Sequence, residues 1–120
     1  MKCPFCNIKT VLFEDDLCFV INDNYPVTQG HCLIIPKKHS SNYFECSKDE
    51  VDSLNSLIIK TKDYLDKNYQ PSGYNVGFNC GESGGQTIFH THIHVIPRYD
   101  GDMKNPRGGV RGVIPNKQSY

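Results

Sequence analysis

The stretch His-Thr-His-Ile-His-Val-Ile-Pro, residues 90–97, places three histidines, His90, His92 and His94, at alternating positions. Side chains alternate between the two faces of a β-strand, so a strand here predicts three imidazoles on one face, with neighbouring rings roughly 7 Å apart. A neutral imidazole is a nucleophile and an imidazolium is a proton donor, so the pattern indicates chemistry on a phosphate. A solvated histidine strand and a metal clip are the alternatives.

A glycine-rich segment precedes the histidines: residues 79–87 read Asn-Cys-Gly-Glu-Ser-Gly-Gly-Gln-Thr. Glycine has no Cβ, so the backbone N–H groups of such a turn, Gly85 among them, can approach an anion closely. Asn79 at the entrance and Gln86 and Thr87 at the exit add neutral donors. The segment predicts a phosphate-binding turn, for which an ordinary surface loop is the alternative. For Thr87, the alternative is capping of the strand end.

Composition limits the class of protein. The chain has 120 residues, enough for one domain with a modest core. Thirteen basic residues balance thirteen acidic ones, which argues against nucleic-acid binding through a charged surface. No apolar run has the length of a membrane span, and the opening residues lack the apolar core of a secretory signal. The six cysteines form no disulfide-like framework apart from the opening pair. We therefore expect a cytoplasmic protein with mostly free thiols and no membrane partner.

The order of predicted elements indicates the fold class. Apolar runs between turn residues predict strands at residues 11–13, 18–21, 31–35 and 74–78 and at the histidine segment. Ser47 and Glu50 have the spacing of a capping box, which predicts a helix over residues 48–67. The apolar stripe of this helix consists of Val51, Leu54, Leu57, Ile58 and Leu65. Hairpin-ordered strands with a segregated helix predict an α+β fold, with an antiparallel sheet of about five strands and one main helix.

The histidine segment resembles the signature of the histidine triad (HIT) family of nucleotide hydrolases and transferases. Residues 3–6, 30–39 and 79–87 resemble the family's other blocks, in the same order. Thr91 departs from the signature, because an apolar residue is usual there. The resemblance implies a HIT-like fold and a two-fold homodimer. It implies a single HIT domain over residues 1–120, with a core at 1–100 that opens on a zinc-ribbon-like Cys-x-x-Cys pair and an irregular C-terminal arm at 101–120.

The resemblance also implies roles in catalysis. His92 is the nucleophile on the α-phosphorus of a purine nucleotide, such as a diadenosine polyphosphate, and forms a covalent nucleotidyl-histidine. His94 binds phosphoryl oxygens or helps to protonate the leaving group. Asp23 accepts hydrogen bonds from the ribose hydroxyls, with an Asx-turn as the alternative. The partner is thus a small-molecule nucleotide. Hydrolysis of a nucleoside phosphoramidate and a non-catalytic nucleotide-binding module remain alternative functions.

Cys3 and Cys6 have zinc-ligand spacing, but one such pair supplies only two of the four ligands of a structural site. In related proteins the histidines at the positions of His39 and His90 complete the set, so the resemblance implies structural zinc. Two free thiols and a loop-capping His39 are the alternative. We expect His31 to be structural, at the start of its strand.

Three arginines, Arg98, Arg107 and Arg111, are candidates for contacts with phosphates distal to the cleaved bond, because guanidinium groups bind phosphate well. Solvated surface charges are the alternative for all three.

Overall fold

A computed structural model describes residues 3–120; Met1 and Lys2, the first two residues of the predicted core, lie outside the described residues. The fold is an antiparallel five-stranded sheet with one α-helix, as predicted. The strands are β1 (Phe13–Glu14), β2 (Cys18–Asn22), β3 (Cys32–Pro36), β4 (Gly73–Gly77) and β5 (Ile93–Arg98), in the order β1-β2-β3-β5-β4, and the helix α1 is Lys48–Tyr69. No helix among residues 3–120 combines the length and the apolarity that crossing a membrane requires.

The N-terminus of α1 carries the capping box that the sequence predicts. The Ser47 hydroxyl accepts a hydrogen bond from the Glu50 backbone N–H at 3.1 Å, and the Glu50 carboxylate accepts one from the Ser47 N–H at 2.8 Å. At the other end α1 extends two residues beyond the predicted Lys67, to Tyr69. There Gln70 adopts a left-handed conformation, and its side-chain amide donates to the Lys67 carbonyl at 2.7 Å. This bond satisfies a carbonyl that has no partner within the helix.

The sheet separates the core from the functional face. On one side, the α1 leucines pack against alternate strand residues; this cluster contains Cys18, Val20, Cys32, Ile34, Leu54, Leu57, Leu65, Ile93 and Val95. On the other side lies a smaller cluster of Phe5, Phe19, Leu33 and Ile35. Leu33 pairs directly with His94 across β3 and β5, so these two side chains share that second face. The helix therefore covers one face and leaves the histidine face open.

The histidine segment is only partly a strand, which differs from the prediction. β5 begins at Ile93, so His94 lies in the sheet whereas His90 and His92 precede it. The reason is that the Thr91 N–H donates to the Ser40 carbonyl at 2.9 Å, in the loop after β3, and not to a strand. Thr91, the departure from the usual apolar residue, is fully buried, and its hydroxyl lies 2.8 Å from the Ser40 hydroxyl. A buried hydroxyl with a partner costs little, so Thr91 fits its site.

We predict that Ser47→Ala lowers the free energy of unfolding by about 1 kcal/mol, because it removes the side-chain acceptor of the capping box. Denaturant unfolding followed by circular dichroism measures the change. The matched control is Ser56→Ala on the exposed side of the same helix, where alanine is the better helix former and no loss is expected. Equal destabilisation by the two changes would contradict the capping role.

Candidate active site

A cleft of ≈ 420 Å³ opens on the face of the sheet opposite α1. Its lining comes from five parts of the chain: the N-terminal turn, the loop after β2, β3 with the residue before it, the glycine-rich segment and the histidine segment. The lining includes the side chains of Phe5, Asp23, His31, Asn79, Thr87, His92 and His94. The structure thus brings together most of the residues that the sequence predicts for nucleotide chemistry.

The His92 ring has a defined tautomer. Its Nδ1 lies 2.8 Å from the backbone carbonyl of His90, and a carbonyl can only accept, so Nδ1 carries the hydrogen. In the neutral ring, Nε2 then holds the lone pair. Phe5 packs against this ring in a T-shaped contact, with 5.1 Å between ring centroids. The His94 ring lies 5.2 Å away, closer than the roughly 7 Å of an ideal strand. These contacts fix the orientation of the His92 ring, with the lone pair of the neutral ring on Nε2.

His94 is fixed by a chain of hydrogen bonds that starts in the backbone. The Val27 N–H donates to His31 Nδ1 at 3.0 Å, so the hydrogen of the neutral His31 ring is on Nε2. His31 Nε2 lies 2.9 Å from His94 Nδ1, which therefore accepts. The remaining nitrogen of His94, Nε2, then carries a hydrogen. The pair His92 and His94 thus combines a lone pair on one ring with an N–H donor on the other.

The sequence predicts a structural role for His31 but does not indicate its hydrogen bond with His94. The side chain is 2% exposed, so it is part of the packing, but its ring also determines the hydrogen position of a site residue. The available signal was its place just before the strand that pairs with the histidine strand.

Burial lowers the pKa of three histidines, His31, His90 and His94. It lowers the pKa of His94 to about 4, with the neighbouring His92 and His31 acting in the same direction. Burial also lowers the pKa of His31, although the Asp23 carboxylate opposes this shift. The pKa of His90 is lowered mainly by burial as well. His31 and His94 are therefore neutral near pH 7, which the tautomer assignment requires.

Asp23 forms the Asx-turn that was the alternative to its predicted ribose contact, and it also lines the cleft. Its Oδ1 accepts from the Tyr25 backbone N–H at 2.8 Å. Its Oδ2 lies 3.4 Å from His31 Nε2 and 3.8 Å from His94 Nδ1. One oxygen thus shapes the loop and the other belongs to the site. The carboxylate and the two rings also bring three ligand atoms within 4.8 Å of one another, but the His31–His94 hydrogen bond already engages a nitrogen of each ring.

The glycine-rich segment folds into a tight turn around the Gln86 side chain. The Gln86 carboxamide oxygen accepts from the Gly81 N–H at 2.9 Å, and its nitrogen donates to the Ser41 and Ile88 carbonyls at 2.6 and 3.1 Å. Gln86 is 4% exposed, so its side chain faces inward and not toward the cleft, contrary to the prediction. All its polar atoms are already paired, and Gln86 therefore holds the turn in shape.

The other members of the predicted phosphate site face solvent. Gly85 has φ +90°, a left-handed conformation that favours glycine, and a Cβ there would lie 3.9 Å from the Asn79 side chain. Asn79 and Thr87 line the cleft and are exposed. These two side chains can therefore reach a ligand. The Gly85 N–H, which the sequence predicts as an anion donor, instead donates to the Glu82 carbonyl at 2.9 Å, so Gly85 serves the shape of the turn.

The four predicted zinc ligands form one cluster: Cys3, Cys6, His39 and His90. One ligand atom from each residue lies within 4.8 Å of the ligand atoms of the other three. Sulfur-to-Nδ1 distances are 3.2 Å for Cys3 to His90, 3.6 Å for Cys6 to His90 and 3.4 Å for Cys6 to His39. A tetrahedral zinc site separates sulfur from nitrogen by about 3.5 Å. His90 Nε2 donates to the Pro36 carbonyl at 2.8 Å, which leaves Nδ1 free as a ligand. The donor set fits zinc.

The three arginines proposed for distal phosphates have other partners. Arg98 binds Asp102 through two hydrogen bonds of 2.8 and 2.7 Å and donates to Asn75 at 2.7 Å. Arg107 and Arg111 lie over the Tyr120 ring, 5.0 and 4.7 Å from its centroid. These contacts favour structural roles over the phosphate contacts that the sequence suggested.

The C-terminal arm closes one side of a second cavity of ≈ 420 Å³, which shares His31, His94, Val27 and Asn79 with the cleft. His92 does not line it. The apolar members of its lining are Val27, Val76, Phe78, Ile96, Val110 and Val113. Among the described residues that line it, none is Lys or Arg. The cavity is thus a largely apolar space on the far side of His94.

Comparison with known proteins gives concordant matches. A family model described as the HIT domain matches residues 6–101. Adenylylsulfatase HINT3 of Arabidopsis thaliana is 38% identical over 106 residues, which are 83% of this chain and 54% of that protein. A histidine triad nucleotide-binding protein of Sulfolobus tokodaii superposes with a TM-score of 0.77 at 35% identity, covering 82% of this chain and 70% of that one. A Zn-bound histidine triad family protein of Mycobacterium smegmatis gives a TM-score of 0.77 at 29% identity, over 86% and 79% of the two chains.

We predict that His94 makes stability fall in acid. Its pKa is about 4 in the folded protein and near 6.5 when unfolded, so below pH 6.5 the unfolded chain takes up a proton that the folded chain resists. The stabilisation is complete above pH 6.5 and is lost as the pH falls toward 4, by up to about 3 kcal/mol.

Denaturant unfolding of wild type and His94→Gln between pH 7 and pH 4 measures this contribution. The difference in free energy of unfolding between the two proteins should shrink steadily as the pH falls. Asn55→Gln, a non-titrating exposed substitution, should show a constant difference from wild type. A constant difference for His94→Gln would contradict the lowered pKa.

Proposed function

Since this chain belongs to the HIT domain family, we propose that it is a nucleotide hydrolase that acts at the α-phosphorus of a purine nucleotide through a covalent nucleotidyl-His92 intermediate. The observation that carries the proposal is the hydrogen bond from His92 Nδ1 to the His90 carbonyl, which leaves Nε2 unprotonated in the cleft. The 38% identity to a protein named as an adenylylsulfatase supports the adenine preference and the hydrolase class.

In the first step, His92 Nε2 attacks the α-phosphorus, so that a P–N bond forms while the bond from phosphorus to the leaving group breaks. Attack and departure are in line, which places the leaving group opposite His92. His94, whose ring centroid lies 5.2 Å from that of His92, presents its Nε2–H to the phosphoryl oxygens or to the leaving atom. A bound phosphate anion raises the low pKa of His94, so a larger fraction of the rings is protonated and can give a proton to the leaving atom when the site is filled.

In the second step, water attacks the phosphorus of the intermediate and the P–N bond breaks. The products are a nucleoside monophosphate and the His92 ring with its lone pair restored. Positioning and charge stabilisation supply most of the rate in such transfers. The fixed tautomers of His92, His94 and His31 provide that positioning before substrate binds.

The remaining cleft residues bind the nucleotide in this proposal. Asp23, through the oxygen that faces the cleft, accepts from the ribose hydroxyls. The Asn79 and Thr87 side chains donate to phosphate oxygens, and the turn at Gly85 holds the backbone between them in shape. Gln86 contributes by holding that turn and not by direct contact. The apolar side chains that line the cleft, among them Phe5, Ile21 and Leu33, offer a surface for the base.

We also propose structural zinc at Cys3, Cys6, His39 and His90. Tetrahedral sulfur and nitrogen ligands match the zinc preference, and a solved structure of a similar protein is named as Zn-bound. The metal would join the N-terminal turn, the loop after β3 and the start of the histidine segment. A two-fold homodimer in the cytoplasm remains part of the proposal.

Replacing the nucleophile gives the direct test. We predict that His92→Ala lowers kcat by at least about 1,000-fold, because it removes the group that forms the covalent intermediate. Rapid quenching of wild type with substrate should trap an adenylyl group on His92, mapped by mass spectrometry, and His92→Ala should lack it. Turnover that survives the change would exclude this nucleophile, and AMP binding without turnover on either of two substrate classes would favour a binding module.

Those classes are diadenosine polyphosphates, which the sequence favours, and nucleoside phosphoramidates. The cavity beyond His94 favours the second class. A polyphosphate leaving group carries several negative charges, and among residues 3–120 no Lys or Arg lines that cavity. An uncharged apolar amine fits its valine, isoleucine and phenylalanine side chains without an unpaired buried charge.

We predict that kcat/KM is at least about tenfold higher for the phosphoramidate of an apolar amine with adenosine than for diadenosine tetraphosphate, a difference of about 1.4 kcal/mol in transition-state stabilisation. Steady-state rates on one preparation measure the ratio. A phosphoramidate whose amine carries a carboxylate is the matched control, and it should be hydrolysed more slowly than its neutral counterpart. The reverse order would assign the enzyme to polyphosphate substrates.

A further inference from the structure

Phe5 joins the cysteine pair to the site. It lies in the turn between Cys3 and Cys6, which is closed by a hydrogen bond from the Cys6 N–H to the Cys3 carbonyl at 3.2 Å. The Phe5 ring is 8% exposed and makes T-shaped contacts with the His90 ring at 6.0 Å and the His92 ring at 5.1 Å between centroids. A movement of this turn therefore moves a ring that packs directly on the proposed nucleophile.

His90 makes a second connection. Its Nδ1 faces the sulfurs of Cys3 and Cys6, and its backbone carbonyl accepts the hydrogen of His92 Nδ1. One residue thus belongs to the cysteine cluster by its side chain and fixes the His92 tautomer by its backbone. The orientation of the nucleophile depends on whether the cluster holds His90 in place.

The two sulfurs can adopt one of two exclusive states. In the cluster, Cys3 Sγ and Cys6 Sγ lie within 4.8 Å of each other. Two sulfurs that share a tetrahedral zinc are about 3.8 Å apart, whereas a disulfide requires about 2.05 Å. Cys6 is exposed and Cys3 is partly exposed, so a small oxidant can reach the pair. The remaining cysteines lie outside the cluster.

We propose that Cys3 and Cys6 form a thiol switch: oxidation to a disulfide by a peroxide releases the metal and disorganises the nucleophile. One cysteine sulfur attacks an oxygen of hydrogen peroxide; the O–O bond breaks, giving a sulfenic acid and water. The second sulfur displaces the hydroxyl of the sulfenic acid as a second water, and the S–S bond forms. The two sulfurs lose two electrons, the peroxide gains two, and Zn²⁺ leaves unchanged.

The loss of activity rests on the proposed hydrolase function and the release of metal on the proposed zinc site, but the weakening of nucleotide binding does not require turnover. Without two of its four ligands the metal no longer ties His90 to the N-terminal turn. In metal sites, mutation of a residue that orients the ligands typically lowers metal affinity or activity 10–100-fold. We therefore expect AMP affinity and hydrolysis rate each to fall by at least about tenfold on oxidation.

The test treats zinc-loaded protein with hydrogen peroxide, removes the peroxide and measures four quantities. A zinc-sensitive dye should record one zinc ion released per chain. Mass spectrometry should find the loss of two hydrogens and a Cys3–Cys6 crosslink. Calorimetry should show weaker AMP binding, and the phosphoramidate assay should show slower hydrolysis. Dithiothreitol with added zinc should restore all four.

Two variants make the assignment specific. Cys80→Ala removes a thiol outside the cluster and should respond to peroxide as wild type does. Cys6→His keeps a zinc ligand but cannot form the disulfide, so its zinc and its AMP affinity should withstand peroxide; Cys6→Asp serves the same purpose if the histidine does not fit.

The outcomes separate the two proposals. A crosslink at other cysteines, or zinc release with unchanged AMP affinity, would overturn the switch. If the reduced protein hydrolyses no nucleotide, the proposed function fails, whereas the zinc and AMP measurements still decide the switch. If hydrolysis is present and unaffected by the Cys3–Cys6 disulfide, the switch fails and the function stands.

Discussion

The hydrogen bond between His92 Nδ1 and the His90 carbonyl is the constraint on which the site depends. A neutral imidazole has a single N–H, so fixing it on one nitrogen leaves a lone pair on the other. The carbonyl is positioned because the chain at residues 90–92 leaves the regular sheet and is bonded through Thr91 to the loop after β3. In a regular strand, the backbone N–H and C=O groups of these residues would bond to the neighbouring strands, and the histidine rings would lie farther apart.

Neutral histidines are a consequence of where the sheet places them. Its helix-covered face holds the larger apolar cluster, and its other face carries the smaller cluster beside His94 and His31. Burial disfavours the charged imidazolium, so tautomers and hydrogen bonds, more than fixed charge, organise the free site. The balanced composition agrees with this, because backbone amides and neutral side chains can bind a phosphate without a cationic surface.

The chain belongs to the HIT domain family, and two of its segments, the N-terminal turn and the C-terminal arm, lie on either side of the histidines. The N-terminal turn brings Phe5 and the cysteine pair to one side of the histidines. The C-terminal arm brings Val110 and Val113 to the other side. The first packs against the His92 ring, and the second lines the cavity beside His94. The two ends of the chain, distant in sequence, thus flank the same reacting centre.

The sequence by itself determined the fold class, the capping box at Ser47 and the family, because local spacing and motif order carry that information. The grouping of His39 and His90 with Cys3 and Cys6 followed from the resemblance to that family. Only the tertiary structure decided the inward turn of Gln86, the other partners of the arginines and the contact of His31 with His94. Each depends on which groups from remote segments meet and satisfy each other's hydrogen bonds. No spacing within one segment encodes such meetings, so they follow from packing alone.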